Sequence, residues 1–341
     1  MTEDRSDTLF VGWGDTHGVT HYRTILPAKT MGADCVVFGM DGSPKYRSGT
    51  NMKPEIIVLQ HGWEHWQVRV MRRMLNSGAT VLLNVDDWIP AVPKMGENHG
   101  LSRHFQEESR VDEWKNMVRE ADGVIASTPW LAERLSSLNS NVMLARNGLD
   151  LDRYERFGGS GARQDGSLRV LGWAGGTGHE GAFRSIVPAL TEAMDKRQSL
   201  KLVTVGDNVG RFMPEHLADR VIHRAWSDHL IYPRHLAEFD INLAPALDND
   251  FYRAKSQLRM YEACAMGTPT IGSPMYDEIR DAECGMIAHT HSDWVNFIEL
   301  LFLYHSQLNI FRSRAASYAQ SIRIEKRIDE WTTAIESLTS S

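Results

Sequence analysis

The sequence has few of the features that mark a secreted or membrane-spanning protein. Among its 341 residues there are only three cysteines, too few and too scattered for a disulfide framework or a cysteine-rich zinc site. The longest apolar run, from Phe297 to Tyr304, is interrupted by Glu299 and is far shorter than the roughly 20 residues that cross a bilayer. The N-terminal residues are polar and acidic, unlike a signal peptide. We therefore expect a cytoplasmic protein without a membrane span.

A basic surface and several common catalytic motifs are absent as well. The formal net charge is −7 and the isoelectric point is near 6.1, which disfavours a nucleic acid or an anionic membrane as a partner, although a local basic groove is compatible with it. The sequence contains no nucleophile elbow, no Ser-His-Asp order and no Walker loop. These absences exclude the hydrolase and P-loop kinase classes that depend on those motifs.

The length predicts two domains of roughly 150 residues each. In the first half, short apolar runs alternate with helical stretches, which is typical of a parallel sheet covered by helices on both faces. The predicted strands are Leu9–Gly14, Cys35–Met40, Ile56–Gln60, Thr80–Asp86, Gly123–Thr128 and Val142–Asn147. The predicted helices are Val19–Met31, Glu64–Asn76, Arg103–Glu120 and Pro129–Leu138.

A second series of alternating elements follows a polar, glycine-rich stretch, 157–166, that predicts a linker. We therefore expect an α/β protein with two Rossmann-like, doubly wound domains, residues 1–157 and 166–321, facing each other across a cleft. The tail 310–338 is predicted to be helical and amphipathic. The strands predicted in the second series are Leu168–Ala174, Leu200–Gly206, Val221–Ala225, Ile241–Ala244, Thr268–Gly272 and Gly285–Ala288.

The most informative stretch of the chain runs from Asp248 to Ile271. A polar loop with Arg253 and Lys255 precedes a helix on which Glu262 is surrounded by apolar residues. Helix N-termini bind anions, because their first N–H groups are unpaired and the peptide dipoles add up there. We therefore expect a diphosphate near the two basic residues and hydroxyl groups near the acid. Together these are the parts of a nucleotide-sugar.

The same stretch resembles the donor-binding motif of the retaining glycosyltransferases of family 4, once called group 1, which have the GT-B fold. The matching pattern is Lys-Ser-x-x-basic-x-x-Glu-x-x-Ala-x-Gly-x-Pro, from Lys255 to Pro269. In that family two glutamates, separated by seven residues, flank the diphosphate-binding helix start. The second holds the ribose and the first touches the donor sugar. Glu262 matches the second glutamate, but Ala254 occupies the first position, as in a Lys-Ser subset of the family.

The resemblance implies a set of site residues. Lys255 and Arg253, with the helix start, are expected to stabilise the leaving diphosphate. No metal or cofactor is expected to be required, and a UDP or GDP sugar is expected as co-substrate. The last helix, residues 322–341, is expected to pack back on the first domain. The donor-binding residues expected in this stretch are Glu262, Ser256, Gln257, Leu258, Asn249 and Asp248.

Open α/β sheets bind ligands in the loops after their strands, so these loops hold further candidates. Gly12 and Gly14, after the first strand, let a ligand approach the backbone, although they also suit a plain strand-to-helix turn. Arg23 ends a His-Tyr-Arg run that resembles a motif of the Lys-Ser subset. It is therefore a candidate phosphate or acceptor contact.

Two further loops of the first domain carry titratable groups. His61 and His65 flank Glu64, but the order differs from that of a zinc helix and there is no clear third ligand. A loop that shapes the acceptor pocket is preferred, and a solvated helix start is equally compatible. Asp86 and Asp87 follow the fourth strand and could hold Mg²⁺. A sugar or acceptor contact is favoured over a metal because no other acids cluster here, and because the resembling family, whose Lys-Ser subset has Asp-Asp here, requires no metal. Asp86 and Asp87 are therefore candidate catalytic residues, although Asp87 also suits a helix N-cap.

In the second domain the first strand leads into a glycine-rich loop with Gly175, Gly176 and His179. Such a loop can bind a phosphate through its backbone, or it can be a flexible turn. Trp226 follows the third strand. It can stack on a nucleobase, or it can belong to the core.

We therefore expect a retaining, metal-independent glycosyltransferase that moves a hexose or pentose to an acceptor hydroxyl. The second domain is expected to bind the donor and the first the acceptor, which can be a carbohydrate, a lipid, a small molecule or modified DNA. Two alternatives stay open. One is a DNA-modifying glycosyltransferase that acts on a hydroxymethylated base. The other, suggested by Ala254, is a non-catalytic nucleotide-sugar-binding protein.

Overall fold

The computed structural model describes residues 7–14, 17–49, 53–62, 65–94, 108–158 and 169–340. Contacts divide the chain into two compact units. The first unit contains the residues up to Gly148, the short segment Arg253–Ser256 and the stretch from Ile324 onward. The second unit contains Leu149–Tyr252 and Gln257–Arg323. The segment Arg253–Ser256, in the middle of the motif, thus groups with the first unit.

Helices lie between most of the strands and at the end of the chain. The first of them contains a π turn, His21–Ile25, and ends at Gly32, whose φ of 68° is in the left-handed region that favours glycine. The described helices, in chain order, are α1 (residues 18–31), α2 (His65–Leu75), α3 (Glu108–Glu120), α4 (Pro129–Leu135), α5 (Leu151–Glu155), α6 (Glu180–Lys196), α7 (Tyr232–Leu236), α8 (Asp250–Ala254), α9 (Leu258–Ala265), α10 (Glu278–Asp281), α11 (His291–Leu303), α12 (His305–Ser321) and α13 (Ile324–Thr339).

The first unit is built on a seven-stranded sheet. Its strands are β1 (Thr8–Trp13), β2 (Asp34–Phe38), β3 (Pro44–Ser48), β4 (Ile56–Gln60), β5 (Thr80–Val85), β6 (Gly123–Ala126) and β7 (Val142–Leu144). They lie in the order β3-β2-β1-β4-β5-β6-β7, and every pair is parallel except β2 with β3. The strands β4, β5 and β6 are buried along nearly their whole length because helices cover both faces.

The second unit is built on a six-stranded, fully parallel sheet. Its strands are β8 (Val170–Gly175), β9 (Lys201–Gly206), β10 (Val221–Ala225), β11 (Ile241–Ala244), β12 (Thr270–Gly272) and β13 (Gly285–Ile287). They lie in the order β10-β9-β8-β11-β12-β13, which is the doubly wound order. Its core lies between the sheet and α6, α11 and α12, and includes Trp173, Phe183, Leu190 and Ile298, all fully buried.

The predicted fold class, two parallel-sheet α/β domains, is confirmed. All twelve predicted strands occur, with ends that shift by a few residues, because the buried apolar runs that predicted them are the sheet interiors. The antiparallel edge strand β3 was not predicted, since its residues are polar and exposed. The predicted tail helix is two helices, α12 and α13. They are separated near Ile322, whose carbonyl accepts the Leu149 N–H at 2.8 Å.

The linker 157–166 lies outside the described residues from position 159 onward, as does the start of the predicted helix 103–120. The helix α13 belongs to the first unit, where the Glu330 carboxylate binds Arg146 and the Trp331 ring lies 6.0 Å from that of Phe10. In the described part of the chain, no helix is both long and apolar enough to cross a membrane.

Candidate functional site

The carboxyl ends of the first sheet bring together the loops after β1, β4 and β5. The strand order reverses between β1 and β4, so their ends form the switch point at which such sheets bind ligands. Gly14 has a φ of 75°, and its N–H donates to the Phe38 carbonyl at 2.7 Å. A Cβ at Gly12 would lie 2.9 Å from the side chains of Gln60 and Thr24, so internal packing already requires glycine there. Residues 15 and 16 lie outside the described part.

Arg23 lies in the π turn of α1 and is 1% exposed. Its guanidinium donates to Asn84 Oδ1 at 2.6 and 2.9 Å, to the Ala145 carbonyl at 2.5 Å and to Asn147 Oδ1 at 3.2 Å, and it lies 4.4 Å from the centre of the Trp331 ring. Burial lowers the pKa of the Arg23 guanidinium to about 10, so it is still charged at neutral pH. The predicted phosphate or acceptor contact is thus a buried group that ties together three segments of the first unit.

His61 and Asp86 meet at the ends of β4 and β5. Nε2 of His61 lies 2.8 Å from Oδ1 of Asp86, and His61 is only 1% exposed. Burial by itself raises the pKa of Asp86, but the hydrogen bond with His61 and the positive charges of Lys255 and Arg23 outweigh it and hold the pKa below its ordinary value. The carboxylate therefore stays ionised and orients the imidazole.

The pKa of the neighbouring carboxyl group, that of Asp87, is shifted in the opposite direction. Asp87 forms an ion pair with the ammonium group of Lys255, and both side chains are largely buried. Burial raises the pKa of Asp87 and the adjacent Asp86 adds to the rise, while Lys255 opposes it only in part. The lysine expected to bind a phosphate is therefore held by a carboxylate of the first unit.

The rest of the segment Arg253–Ser256 makes similar contacts. The Ala254 carbonyl accepts a hydrogen bond from Thr128 Oγ1 at 3.2 Å, and Ser256 Oγ accepts one from Asn147 Nδ2 at 2.9 Å. Arg253 is exposed, whereas Ala254 is fully buried. The position that carries a sugar-contacting glutamate in the resembling family is an enclosed methyl group here.

In the second unit the glycine-rich loop follows β8 at the switch point between β8 and β11. The Gly175 carbonyl accepts the Asp207 N–H at 2.9 Å, and a Cβ at Gly176 would have no neighbour within 4 Å. Nδ1 of His179 lies 3.3 Å from the Tyr252 hydroxyl. Burial raises the pKa of Tyr252, so this hydroxyl stays protonated. The loop thus has open space beside its backbone and a polar ring at its far end.

Glu262 lies on α9, half-buried, with its carboxylate between two tyrosines. The Tyr154 hydroxyl donates to Oε1 at 3.1 Å, and the Tyr232 hydroxyl donates to Oε2 at 3.3 Å. Burial, together with the negative charge of Glu262, raises the pKa of Tyr232 well above its ordinary value. Two hydroxyl groups of the chain itself therefore contact the acid, where the sequence analysis expected hydroxyls of a ligand.

Trp226 follows β10 and is 59% exposed, with its indole beside Gly206 at the end of β9. Trp226 therefore does not belong to the core. After β11, Asn249 Oδ1 accepts the Tyr252 N–H at 3.1 Å and so begins α8, while Asp248 is exposed.

The residues at the start of α9 serve its local structure. Gln257 Nε2 donates to the Met275 carbonyl at 2.8 Å and to Asp277 Oδ1 at 3.2 Å. The backbone carbonyl of Gln257 accepts the N–H groups of Met260 and Tyr261 in the first turn of α9. Leu258 is the first residue of the helix. The N-terminus of α9 is therefore fixed against the loop that follows β12.

The structure adds three side chains that the sequence analysis did not single out. Tyr154 and Tyr232 come from distant segments, and no local pattern in the sequence connects them to Glu262. Arg259 fills the basic position of the motif, three residues before Glu262, and its spacing could have placed it on the same face of the helix.

The described residues contain no group of three or more His, Cys, Asp and Glu side chains that could hold a metal ion. In the loop that carries His61, Glu64 and His65, Glu64 and the side chain of His65 lie outside the described residues. Metal independence stays a prediction.

Comparison with known proteins shows likeness in structure only. No protein-family model and no curated sequence matches the chain. WaaG, a glycosyltransferase of lipopolysaccharide biosynthesis, is 15% identical over 96% of this chain and 98% of its own, with a TM-score of 0.64. The S. aureus protein TarM, in a complex that contains UDP, is 13% identical over 88% of this chain, with a TM-score of 0.57, and the chain spans only 66% of TarM.

An enzyme of a different reaction class has the same architecture. The UDP-GlcNAc 2-epimerase of Neisseria meningitidis, bound to UDP-GlcNAc, is 12% identical over 98% of this chain and 100% of its own, with a TM-score of 0.55. At these identities the likeness shows the fold alone. The predicted GT-B fold is thereby confirmed, since both units have the architecture of these neighbours.

Proposed function

We propose that the protein is a glycosyltransferase that moves a sugar from a nucleoside-diphosphate sugar to an acceptor hydroxyl. The observation that supports it most is the arrangement in the second unit, where an open glycine loop at the switch point accompanies a carboxylate held among hydroxyls. A doubly wound sheet binds nucleotides at this edge. The neighbours in fold include proteins solved with UDP and with UDP-GlcNAc.

The donor is handled by the second unit in this proposal. The backbone beside Gly176 is open enough for a phosphate to approach closely. Glu262 accepts the ribose hydroxyls. An ionised carboxylate has about four lone-pair sites, so it can accept them while it keeps its bonds to Tyr154 and Tyr232. Trp226 offers an exposed aromatic face to the nucleobase.

Transfer requires stabilisation of the leaving diphosphate, where negative charge develops. We assign this role to Lys255 and Arg253, with a ligand phosphate replacing Asp87 at the Lys255 ammonium. We further propose a retaining reaction in which a diphosphate oxygen accepts the acceptor proton, so that no protein base is needed. No metal or cofactor takes part in this scheme.

Sugar selectivity has to come from outside the family's first glutamate position, because Ala254 is buried and apolar. Asp248 and Asn249 follow β11 in the second unit, and Asp86 is an ionised carboxylate in the first. These three side chains are the proposed contacts to the sugar or the acceptor. The acceptor class itself is left open.

A thermal-shift panel of UDP, GDP, ADP and CDP, and of their sugars, tests the proposal. A ligand that binds only the native state raises its melting temperature by mass action. We expect at least one nucleoside diphosphate to do so, and the matching sugar donor to be consumed. If no member of the panel shifts the melting temperature, the proposal is wrong. NMR of the products separates transfer, which releases the diphosphate, from epimerisation, which leaves the donor intact with an inverted carbon.

The buried Ala254 supports one alternative, a nucleotide-sugar-binding protein without turnover. Tight donor binding with no product on any acceptor would favour it. Loss of donor hydrolysis or transfer on Lys255→Ala, with the fold intact, would exclude it. Salt-dependent binding of duplex DNA would instead favour an acceptor made of modified DNA.

A further inference from the structure

The glycine loop of the second unit lacks a cation of its own. Between Gly175 and His179 there is no lysine or arginine. The sequence analysis assigns the diphosphate to Arg253 and Lys255, but both group by their contacts with the first unit, and Lys255 is paired with Asp87. A diphosphate bound at the loop requires positive charge, and a basic side chain of the second unit that lies beside the loop can supply it.

Arg259 occupies the right place. A Cβ built on Gly175 would lie 2.9 Å from Nη2 of Arg259, so the guanidinium rests against the backbone at the end of β8. Its central carbon lies 5.7 Å from the centre of the Trp173 ring, which is fully buried. The absence of a side chain at Gly175 thus leaves room for the arginine, and its guanidinium lies over the indole ring of Trp173.

The guanidinium of Arg259 is not neutralised. Among the described residues no carboxylate lies within ion-pair distance of it, and its Nη1 is buried without a hydrogen-bond partner. A buried, unpaired N–H of a charged group costs free energy, so native proteins pair most such groups. Arg23 shows the usual outcome in this same chain, with carbonyl and amide oxygens around its guanidinium. The Nη1 group of Arg259 can therefore donate to an anionic acceptor.

Arg259 is linked to both parts of the expected donor site, the glycine loop and Glu262. Its positive charge acts on both Tyr232 and Tyr252, since it opposes the rise in the pKa of each hydroxyl. Tyr232 binds Glu262, and Tyr252 binds His179 at the end of the glycine loop. Arg259 and Glu262 are three residues apart and so share one face of α9. Phosphate and ribose recognition would then come from a single helix turn.

We propose that Arg259 is the cation of the second unit that binds the diphosphate of the donor, through its guanidinium beside Gly175. This inference rests on the proposed function, since it assumes a nucleoside diphosphate as ligand. Arg259, inside the helix of the motif, then binds the diphosphate in the ground state. Lys255 stabilises the negative charge that develops on the leaving diphosphate during transfer.

The test compares Arg259→Gln with Lys201→Gln, since both remove one positive charge from the same unit. Lys201 is exposed at the first residue of β9, at the opposite end of the sheet from the loop. Calorimetry gives the affinity for whichever of UDP, GDP, ADP and CDP binds the wild type best, and NMR gives that for its nucleoside. We expect Arg259→Gln to weaken diphosphate binding about 10- to 100-fold and nucleoside binding less than threefold, and Lys201→Gln to change neither.

Arg259→Lys keeps the charge but loses the planar fork, so we expect it to recover part of the lost affinity. Gly175→Ala would push a methyl group into the guanidinium and is expected to weaken diphosphate binding as well. Unchanged diphosphate affinity in Arg259→Gln, or an equal loss for nucleoside and diphosphate, overturns this inference and leaves the proposed function standing. If the wild type binds no nucleoside diphosphate, the proposed function itself is wrong.

Discussion

The loops at the carboxyl ends of the two sheets differ in how their charges are balanced. In the first unit, Asp86 is paired with His61, and Asp87 with Lys255. In the second unit, Arg259 has no carboxylate partner among the residues that the structure describes. Position at the end of a parallel strand therefore does not by itself indicate a ligand contact. The charge that the fold leaves unbalanced is the better guide to what binds.

Arg23 and Arg259 differ in the same way. Arg23 and Arg259 both lie next to a sheet, and both contact a tryptophan ring. Arg23 is enclosed by acceptors of its own unit, which its guanidinium binds. Arg259 lacks such acceptors, so an incoming anion can use it.

The largest expected effect is on stability, from Arg23→Met. The change leaves the Asn84 and Asn147 side chains and the Ala145 carbonyl without their donor, and buried unpaired acceptors are costly. We expect the free energy of unfolding to fall by about 3 kcal/mol, measured by urea denaturation, with nucleoside-diphosphate affinity unchanged. Lost affinity at unchanged stability would instead make Arg23 the phosphate or acceptor contact that its sequence motif predicts.

The next effect concerns Glu262, for which the chain offers a matched control. Glu278 also accepts hydrogen bonds from two tyrosine hydroxyls, those of Tyr261 and Tyr318, at 2.6–2.8 Å. Glu262→Gln and Glu278→Gln should each lower the free energy of unfolding by about 1 kcal/mol, because each weakens a charge-assisted pair of bonds. Only Glu262→Gln should also weaken nucleoside-diphosphate binding, by about tenfold.

Equal affinities in these two variants would mean that Glu262 only holds its tyrosines. The proposed ribose contact would then have to be sought elsewhere in the second unit. Calorimetric titration of both variants, at a temperature well below unfolding, separates the two outcomes.

The fold was predictable because buried parallel strands leave continuous apolar runs in the sequence. The polar edge strand Pro44–Ser48 leaves no such run. Local spacing and turn chemistry also singled out Glu262 and the glycine loop as candidates, and their part in binding stays a prediction. The tyrosines around Glu262 were not singled out, since Tyr154 lies 108 residues away and is brought there only by tertiary packing. For the same reason the contacts of the Arg253–Ser256 segment with the first unit could not be read from the motif.

A smaller, pH-dependent effect is expected in the first unit. The pKa of Asp86 is held below its ordinary value in the folded state, so its contribution to stability is present above about pH 4 and is lost as the pH falls through the folded pKa. Asp86→Asn should therefore be less stable than the wild type at neutral pH, by about 1 kcal/mol, with the difference shrinking in acid. Thermal unfolding from pH 3 to pH 8 measures it.

Asp87→Asn is the control. The pKa of Asp87 is raised, so its contribution to stability depends on pH with the opposite sign from that of Asp86. The stability that Asp87 contributes is present below the ordinary aspartate pKa and is lost as the pH rises through the folded value. The stability of Asp87→Asn relative to the wild type should therefore increase as the pH rises. Parallel pH profiles for the two variants would contradict the assignment of opposite shifts.

The smallest expected effect tests the exposed face of the second unit. Trp226 is 59% exposed, so Trp226→Ala should change the free energy of unfolding by less than about 0.5 kcal/mol. Loss of stacking on a nucleobase should weaken nucleotide binding by about 1 kcal/mol, or roughly fivefold. Tyr304→Ala removes an equally exposed aromatic ring, 60% accessible, from the start of α12, and should leave affinity unchanged. If both variants bind the nucleotide like the wild type, the indole of Trp226 does not stack on the base, while the charge of Arg259 would still favour a phosphate.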